Sequence, residues 1–600
     1  MFDYIIVGAG SAGCVLANRL SANPANRVCL LEAGPSDRNY WVRHCNPLNM
    51  LVLMNSRKYN WRCHTEPEAR TGHRRFFWPR GRTLGGSSSV NAMIYTRGHP
   101  FDYDRWAAEG NPGWDYESVL PWFLHSERQQ RGADDWHGDQ GTMDVVDTNF
   151  HFPVSEAFVR ACGEAGQAIN PDFNGAQQEG CGFFQVTQTP QGRRANSAYA
   201  FLDEALSRPN LTVLTGVRVT RICLEGKVAI GVEISRRGRR GKREVLTARR
   251  EVILSAGVIN SPHLLKLSGI GPAQELMKHG IEVVHDLPGV GENLQDHPDV
   301  IIRCLDKSGT SMAVAPTWSS LNFFARMLRQ PDFVFTPTDC GGFVRSSPQE
   351  PIPDLQLQFA AVRMQPHGRG LTTSMRSGFV LHVCHLRPES RGRVLLKNAD
   401  PFADPVIHAA YFEHDKELNA LVNGVRLGRQ ILSQPAMQAF HGGEESPGPA
   451  VQSDAALKAW ILQNVETVYH TAGSCRMGQG PDAVVDADLR VHGVQRLRVI
   501  DSSVMPFIPG SNIHTPTVMI AEKGLTASSK AAESRATQGC CGSLRAARCP
   551  GSMHNREIVG RVVFRFGRPV DSIRIFVPCG PFCHEHEEDR SREKQSIQAP

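Results

Sequence analysis

The chain of 600 residues contains no apolar run of the ~18 residues that a membrane-spanning helix requires, which argues against an integral membrane protein. It opens at Met1 without the basic and long apolar regions of a signal peptide, so we expect a cytoplasmic protein. The excess of positive over negative charge is also small. Lys and Arg number 66 against 60 Asp and Glu, and the net charge of +6 is too small to predict nucleic-acid binding.

The sequence also lacks the motifs of several common enzyme classes and metal sites. The 16 cysteines include no C-x-x-C pair, which predicts reduced thiols rather than a disulfide framework or a zinc site. The chain has no G-x-S-x-G nucleophile elbow, no H-E-x-x-H zinc motif and no P-loop, so hydrolase, zinc-protease and nucleotide-hydrolase mechanisms are not supported. Hydrophobic residues (41%) and charged residues (21%) are in globular proportions, and the length predicts two or more domains.

The first 32 residues contain every part of a βαβ dinucleotide-binding motif. The apolar run Tyr4–Val7 predicts a strand buried on both faces, and Val28–Leu31 predicts a second one. Between them the loop Gly8–Gly13 (GAGSAG) opens an apolar-periodic helix, and Glu32 ends the second strand 19 residues beyond the last glycine. This combination predicts a bound dinucleotide, either FAD or NAD.

Each part of this motif has a physical task. Gly8 allows the tight turn, Gly10 lets the backbone approach a pyrophosphate, and Gly13 lets the helix pack against the strand. The helix N-terminus then faces the phosphates, where its unpaired N–H groups and its positive dipole end favour an anion. Glu32 is expected to accept hydrogen bonds from the ribose hydroxyls of the adenosine.

A second run of small residues, Gly81–Asn91 (GRTLGGSSSVN), permits close approach of the backbone to a flat, bulky group. Together with four later motifs, it makes the chain resemble the glucose-methanol-choline (GMC) flavoprotein oxidoreductases, most closely their bacterial choline-dehydrogenase-like and aliphatic-alcohol-dehydrogenase branch. The resemblance extends over residues 2–525. The five motifs, in the family's order, are Gly81–Asn91, Gly257–Gly271, Pro288–Asp296, Ser390–Val394 and His470–Gly478.

The resemblance implies an α/β fold with two interleaved domains. A Rossmann-like FAD-binding domain is assembled from several chain segments, and a substrate domain, a sheet backed by helices, covers the flavin face. Residues 2–300 are expected to be mainly FAD-binding and 301–460 mainly substrate-binding. Residues 461–525 are expected to return to the FAD domain with the catalytic residues.

The cofactor that the resemblance implies is FAD rather than NAD, and no metal site is predicted. The implied contacts come from the two glycine-rich segments, from the strand Val217–Ile222 and from the residue after the strand Leu497–Ile500. The implied cofactor-binding residues are Gly8, Gly10, Ser11, Ala12, Gly13, Glu32, Arg82, Thr83, Gly85, Gly86, Asn91, Ala92, Met93, Ile94, Val219 and Asp501.

Two histidines near the end of the resemblance carry its implied chemistry. His470 is similar to the family's catalytic histidine, and His514 matches its partner position, which is Asn in many dehydrogenases and His in several oxidases. The implied reaction oxidises a primary alcohol to the aldehyde, with loss of the hydroxyl proton to a base and hydride transfer to flavin N5. A neutral imidazole, with a reference pKa of ~6.5, suits the base. We expect His470 to be the base and His514 to orient the substrate, and the reverse assignment stays open.

The substrate and the electron acceptor are predicted less directly. Choline would call for an aromatic cage and usually a carboxylate, and no carboxylate stands out, so a primary alcohol is preferred. A quinone-type acceptor is expected, with peripheral attachment to the inner face of the membrane as one alternative. Choline dehydrogenase, an oxidase that uses O2 and a non-redox lyase that retains FAD are the other functions considered, and no oligomeric state is predicted. Residues 300–370 should line the pocket. Their aromatics, which could form a cage but equally suit a core or an alkyl-chain tunnel, are Trp318, Phe323, Phe324, Phe333, Phe335 and Phe359.

Residues 526–600 differ in character from the rest of the chain. They hold five cysteines and end in a strongly charged segment. The cluster from Cys579 to His586 lacks a second properly spaced ligand pair, so it does not predict a zinc site. We expect an atypical and poorly ordered tail.

Overall fold

Two seven-stranded sheets organise the chain, and the N-terminal βαβ motif belongs to the first of them. The computed structural model describes residues 1–525 apart from 46, 237, 314–317, 331 and 364–375. The predicted tail, residues 526–600, therefore lies outside the described residues.

The first sheet has a parallel half and an antiparallel half that share one long strand, Arg243–Leu254. The strand Phe2–Val7 runs parallel to the long strand on one side and to Val28–Leu31 on the other. These strands are buried along almost their whole length, as their apolar sequences predict for a parallel sheet covered on both faces. In spatial order the strands are Arg218–Glu225, Val228–Ser235, Arg243–Leu254, Phe2–Val7, Val28–Leu31 and Leu211–Leu214, with Leu497–Val499 also paired to Arg243–Leu254.

The second sheet is antiparallel throughout, and helices pack on one of its faces. The helix Asp415–Leu432 lies close to it because two of its contact positions are glycines. A Cβ on Gly424 would lie 2.5 Å from the side chain of Val383. In spatial order the strands are His441–Ser446, Pro298–Asp306, Gly378–His385, Leu355–Ala360, Cys340–Val344 and Gly180–Phe183, with Glu466–Thr467 also paired to Pro298–Asp306. The strand Gly180–Phe183 comes from residues 2–300, so the two domains interleave before residue 300.

The opposite face of the second sheet looks toward the first sheet. Along Pro298–Asp306 the residues alternate between the two faces, as the two-residue period of a strand requires. Val300 and Ile302 lie in the core under the helices, whereas Asp299 and Ile301 line a cavity. In this fold, the face of the second sheet that carries polar side chains lies opposite the carboxyl ends of the parallel strands of the first sheet.

The remaining elements connect or cover the two sheets. Within the described part of the chain, every helix is too short or too polar to cross a bilayer. The helices are Ser11–Ser21, Tyr40–Arg43, Pro47–Asn55, Pro100–Ala108, Tyr116–Ser126, Pro153–Glu164, Asp203–Ala205, Gly257–Leu267, Ala273–Lys278, Trp318–Arg329, Asp415–Leu432, Asp454–Asn464 and 514–525. Smaller sheets pair Cys63–His64 with Phe77–Trp78, Ile270–Gly271 with His285–Asp286, Arg393–Leu395 with Val406–His408, and Met143–Asp147 with Glu127–Gln129 and Gln185–Val186.

Candidate active site

A cavity of about 730 Å³ is bordered by both sheets. On the side of the first sheet its wall contains Val7, Glu32, Ser255 and Asp501, each of which ends or closely follows a parallel strand. Ligands of open α/β sheets bind at the carboxyl ends of the strands. The cavity thus lies where a dinucleotide is expected.

The N-terminus of the first helix, Ser11–Ser21, forms part of the cavity wall. Its N-cap is Gly10, which supplies no side chain to the free N–H groups, and its first turn contains no acidic residue. Gly13 faces the loop instead, and a Cβ on it would lie 1.9 Å from the carbonyl oxygen of Gly8. The packing needs glycine at that position, and the helix end is left open to bind an anion such as a pyrophosphate.

Glu32 is buried beside this helix end. Its carboxylate accepts the backbone N–H of Ala9 at 3.1 Å and that of Gly34 at 2.7 Å. Burial raises the pKa of Glu32 to about 7 even though these hydrogen bonds lower it. The two backbone donors fix the carboxyl group at the cavity wall, where it fits the predicted contact with ribose hydroxyls.

The second glycine-rich run packs directly against the first. A Cβ on Gly86 would lie 2.6 Å from the Cα of Gly10, so two backbone segments meet there at a distance that only glycine permits. Gly85 donates its N–H to the carbonyl of Ala9 at 2.8 Å, and the Thr83 hydroxyl donates to Pro35 at 2.8 Å. These contacts hold the run in place beneath the cavity.

Most of the predicted cofactor-binding residues border the cavity, and four lie behind it. Arg82 is one of the four: its guanidinium lies over the ring of Trp61, 5.1 Å from the ring centroid. The residues in the cavity wall are Gly8, Gly10, Ser11, Ala12, Glu32, Gly86, Asn91, Ala92, Met93, Ile94, Val219 and Asp501. The four outside the wall are Gly13, Arg82, Thr83 and Gly85, whose described contacts support the loops.

His470 lies in the cavity wall and is 8% exposed. Its Nε2 is 3.1 Å from Nδ2 of Asn512, and its Nδ1 is 3.1 Å from Nδ1 of His297. Burial and the nearby positive charge of Arg80 lower the pKa of His470 to about 3. The imidazole is therefore neutral at physiological pH.

The backbone before His470 is held in an uncommon conformation. Tyr469 has φ of +67°, in the left-handed region that non-glycine residues rarely adopt. Its N–H donates to the Thr467 hydroxyl at 2.7 Å, and its carbonyl accepts from Arg80 at 2.6 Å. Asp296 in turn accepts from Thr467. Hydrogen bonds to both the N–H and the carbonyl of Tyr469 thus hold the backbone that precedes His470.

The hydrogen bonds described for His470 and His514, the predicted base and orienter, go to other residues rather than between the two rings. His514 begins the last helix, 514–525, and its Nδ1 lies 3.1 Å from the Ser11 hydroxyl. Asn512, two residues earlier, makes the contact with His470. The loop that precedes the helix passes alongside the His470 ring, whereas His514, the first residue of the helix, does not. Both histidines nevertheless line the same cavity.

Two residues of this site, His297 and Asn512, were missed by the sequence analysis. His297 directly follows the motif Pro288–Asp296, and Asn512 lies two residues before His514. The adjacency of His297 to a recognised motif was a usable signal. For Asn512 the local sequence offers no comparable signal, because its partner His470 is 42 residues away.

Most of the aromatics of residues 300–370 belong to a hydrophobic core, which is one of the alternatives left open for them. Phe323, Phe333 and Phe335 pack with Phe150 and Phe152 under the second sheet. Phe359 stacks on Phe158 with ring centroids 4.4 Å apart. Of the six aromatics, Phe324 lines the cavity, and the side chain of Trp318 lies outside what the structure describes. A side chain on a strand or helix faces either the cavity or the helix-covered core, and sequence position did not reveal which.

Comparisons with known proteins agree with this architecture. Family models described as GMC oxidoreductase match residues 2–299 and 388–521. The chain is 44% identical over 527 residues to an alcohol dehydrogenase (acceptor) of Pseudomonas putida, covering 87% of this chain and 94% of that protein. It is 42% identical over 542 residues to the mitochondrial choline dehydrogenase of Mus musculus, covering 87% and 88%. Among solved structures, pyridoxine 4-oxidase from Mesorbium loti has a TM-score of 0.78 at 30% identity, covering 87% of this chain and 98% of that one.

The chain therefore belongs to the GMC oxidoreductase family. The predicted α/β fold with interleaved domains, the oxidoreductase class acting on CH–OH donors and the FAD cofactor are confirmed. The two glycine-rich segments, the open helix end and Glu32 fit that cofactor.

Proposed function

We propose that this protein uses FAD to oxidise an uncharged primary alcohol to the aldehyde, with His470 as the general base, and passes the electrons to a quinone-type acceptor. The observation that carries the proposal is the position of His470, a buried and neutral imidazole in the same cavity wall as the dinucleotide-binding loop. FAD, when bound by the two glycine-rich segments and Glu32, supplies the acceptor for the electron pair that leaves the alcohol carbon.

The protein's own task is to move the hydroxyl proton. Because the pKa of His470 is lowered to about 3, its ring is unprotonated at neutral pH but is a weak base until negative charge develops beside it. A buried imidazolium is costly on its own, so the proton should move as negative charge develops on the alcohol oxygen. Such help from a positioned base contributes roughly 10²–10⁴-fold to a rate.

His514 is assigned as the second residue that contacts the substrate oxygen. Burial and the positive charge of Arg194 lower the pKa of His514 to about 4, so it is also neutral. Its Nδ1 is engaged by Ser11, while its Nε2 has no hydrogen-bond partner within the described residues. A substrate hydroxyl would provide that partner and would be held between two histidines.

The choice of an uncharged alcohol over choline rests on the carboxylates of the cavity. Asp299 is 2.7 Å from Nδ1 of His382, and Glu466 is paired with Arg74. The other two cavity carboxylates, Glu32 and Asp501, accept backbone hydrogen bonds at the carboxyl ends of the first-sheet strands. Each carboxylate is therefore already engaged, whereas a quaternary ammonium is best served by an unengaged one. The apolar side chains in the wall include Met50, Met54, Ile301, Met312 and Val362, which suit an alkyl chain.

An anaerobic titration of the purified holoprotein tests the reaction. We expect a medium-chain primary alcohol such as octan-1-ol to bleach the flavin absorbance, and choline to bleach it much more slowly. Faster bleaching by choline would replace the alcohol by choline as substrate. Absence of bleaching with either compound, combined with aldehyde release from a cyanohydrin, would instead identify the lyase.

The quinone-type acceptor and attachment to a membrane surface are proposed from the helix Trp318–Arg329. Its exposed residues include Leu321 (54%), Phe324 (43%) and Leu328 (82%), which recur at helical spacing on one face. The helix contains two arginines and no acidic residue, a charge that complements an anionic lipid surface. Phe324 both lines the cavity and is exposed, so the apolar face reaches the point where the cavity opens.

The membrane proposal predicts a specific loss of vesicle binding. Changing Leu321 and Leu328 together to glutamine should weaken co-sedimentation with anionic vesicles by roughly tenfold, because two apolar side chains no longer leave water. The matched control is Met277→Gln, which alters another exposed apolar side chain (62%) on a different helix. Equal binding by the double variant and the wild type would show that this helix does not contact lipid.

Reoxidation of the reduced enzyme by oxygen as fast as by a soluble quinone would contradict the quinone acceptor.

A further inference from the structure

We propose that Asn512 fixes the proton of His470 on Nδ1 and so leaves Nε2 as the nitrogen that accepts the substrate proton. This inference rests on the proposed role of His470 as the base. It assigns a positioning role to Asn512.

The orientation of the Asn512 amide follows from its neighbours. Its Oδ1 lies 3.0 Å from Nε2 of Gln356 and 3.2 Å from the Thr96 hydroxyl. The Thr96 hydroxyl accepts the backbone N–H of Asn512 at 3.2 Å, so its own hydrogen is available to Oδ1. Two donors on one side of the amide assign the oxygen to that side. The NH₂ group then faces His470 Nε2 at 3.1 Å.

The contact of the Gln356 amide with Gln358 agrees with this orientation. Gln358 donates through Nε2 to Oε1 of Gln356 at 3.0 Å, which turns the Gln356 NH₂ toward Asn512. Both glutamines belong to the strand Leu355–Ala360 and, two residues apart, face the same side of the second sheet. A chain of donors thus runs from Gln358 through Gln356 and Asn512 to His470.

This chain determines the tautomer of the His470 ring. An N–H donated to Nε2 requires a lone pair there, so the neutral ring carries its proton on Nδ1. That N–H is directed at Nδ1 of His297, 3.1 Å away, and burial holds the pKa of His297 well below its usual range, so His297 is neutral and can accept. The opposite tautomer would set two N–H groups against each other at Nε2. A hydroxyl that replaces the Asn512 amide at Nε2 therefore meets a lone pair.

The test compares Asn512→Asp with Asn512→Ala in the FAD-loaded enzyme. Aspartate has nearly the same shape and can accept from Gln356 and Thr96, but it cannot donate to His470, and its charge stabilises a protonated ring. Asn512→Asp should lower kcat/KM at pH 7 by about 10²-fold or more. It should also introduce an acidic limb into the pH profile, because a raised pKa of His470 leaves the base protonated below that pKa, while Arg80 and His297, which act on the ring, are unchanged.

The alanine variant separates this role from packing. Asn512→Ala removes the donor without adding charge, and it should lose roughly ten times less activity than Asn512→Asp. Its kcat/KM should show no new acidic limb in the pH profile. Equal losses in both variants, with no new limb in either, would reduce Asn512 to a packing role and overturn the proposal.

A measurement without turnover gives an independent result. In nitrogen-15 spectra of histidine-labelled enzyme, with the His470 signals assigned by their absence in His470→Gln, Nε2 should be unprotonated in the wild type. A protonated Nε2 would overturn the proposal whatever the kinetics show. Full activity of His470→Gln would instead contradict the proposed function, so the two failures can be told apart.

Discussion

Replacing His470 with glutamine is expected to lower kcat/KM for the alcohol by about 10²–10⁴-fold, the contribution of a positioned general base. Glutamine retains hydrogen-bonding groups but cannot take up a proton at neutral pH. Because His470 lines the cavity without belonging to either glycine-rich segment, the variant should still bind FAD. The measurement is the rate of anaerobic flavin reduction by the alcohol, with flavin absorbance per protein as the check on cofactor content.

Two further variants make this result specific. His414→Gln changes an exposed histidine at the N-cap of Asp415–Leu432, where its side chain makes no capping hydrogen bond, and it should retain wild-type activity. His514→Gln should lose less activity than His470→Gln, because His514 is assigned to orient the substrate. A larger loss in His514→Gln would exchange the two roles.

The pH dependence of the wild type follows from the lowered pKa of His470. A group whose pKa is about 3 stays unprotonated as the pH falls from 8 to 6. The kcat/KM of the wild type should therefore not decline over that range through protonation of His470. Because Glu32, with a pKa of about 7, titrates in the same range, the assignment uses the nitrogen-15 signals of His470. A midpoint near pH 6.5 in those signals would show that the ring has an ordinary pKa in the working enzyme and would contradict its desolvated environment.

Replacing Gly13 with alanine is expected to abolish FAD binding and to destabilise the fold by about 3 kcal/mol. The new Cβ would lie 1.9 Å from the carbonyl oxygen and 3.0 Å from the carbonyl carbon of Gly8, both of them backbone atoms. Gly8 cannot easily retreat, because its N–H donates to Leu31 at 2.8 Å within the buried sheet. The measurements are flavin absorbance per protein and the Tm of the purified chain.

Two matched substitutions separate the folding effect from the cofactor effect. Gly480→Ala adds a methyl group where nothing lies within 4 Å, and it should leave both Tm and flavin content unchanged. Gly10→Ala adds a Cβ no closer than 4.0 Å to Gly86 and Ser255 but at the cavity wall, so the protein should fold and yet lose FAD affinity. Normal flavin content in Gly13→Ala would mean that the loop relaxes more easily than its packing indicates.

The parts of the fold that the sequence predicts are those governed by local patterns. The apolar runs Tyr4–Val7 and Val28–Leu31 give buried strands because period and composition act over a few residues. Gly13 is required by its contact with Gly8 only five residues earlier, and Glu32 is placed by the strand that it ends. A sequence motif is sufficient for such features, since the atoms involved are neighbours along the chain.

The parts that only the tertiary structure decides are contacts between distant segments. The residue beside His470 is Asn512 rather than His514, because the loop before the last helix passes the ring at one particular depth. The engagement of Asp299 by His382 depends on the register of two antiparallel strands, in which Ile301 lies opposite His382. A shift of one residue in that register would turn these side chains to the helix-covered face. The sequence by itself thus determined the cofactor-binding motif and the presence of a candidate base. The partners of that base, and the engagement of Asp299 by His382, were decided by contacts between segments 42 to 173 residues apart along the chain.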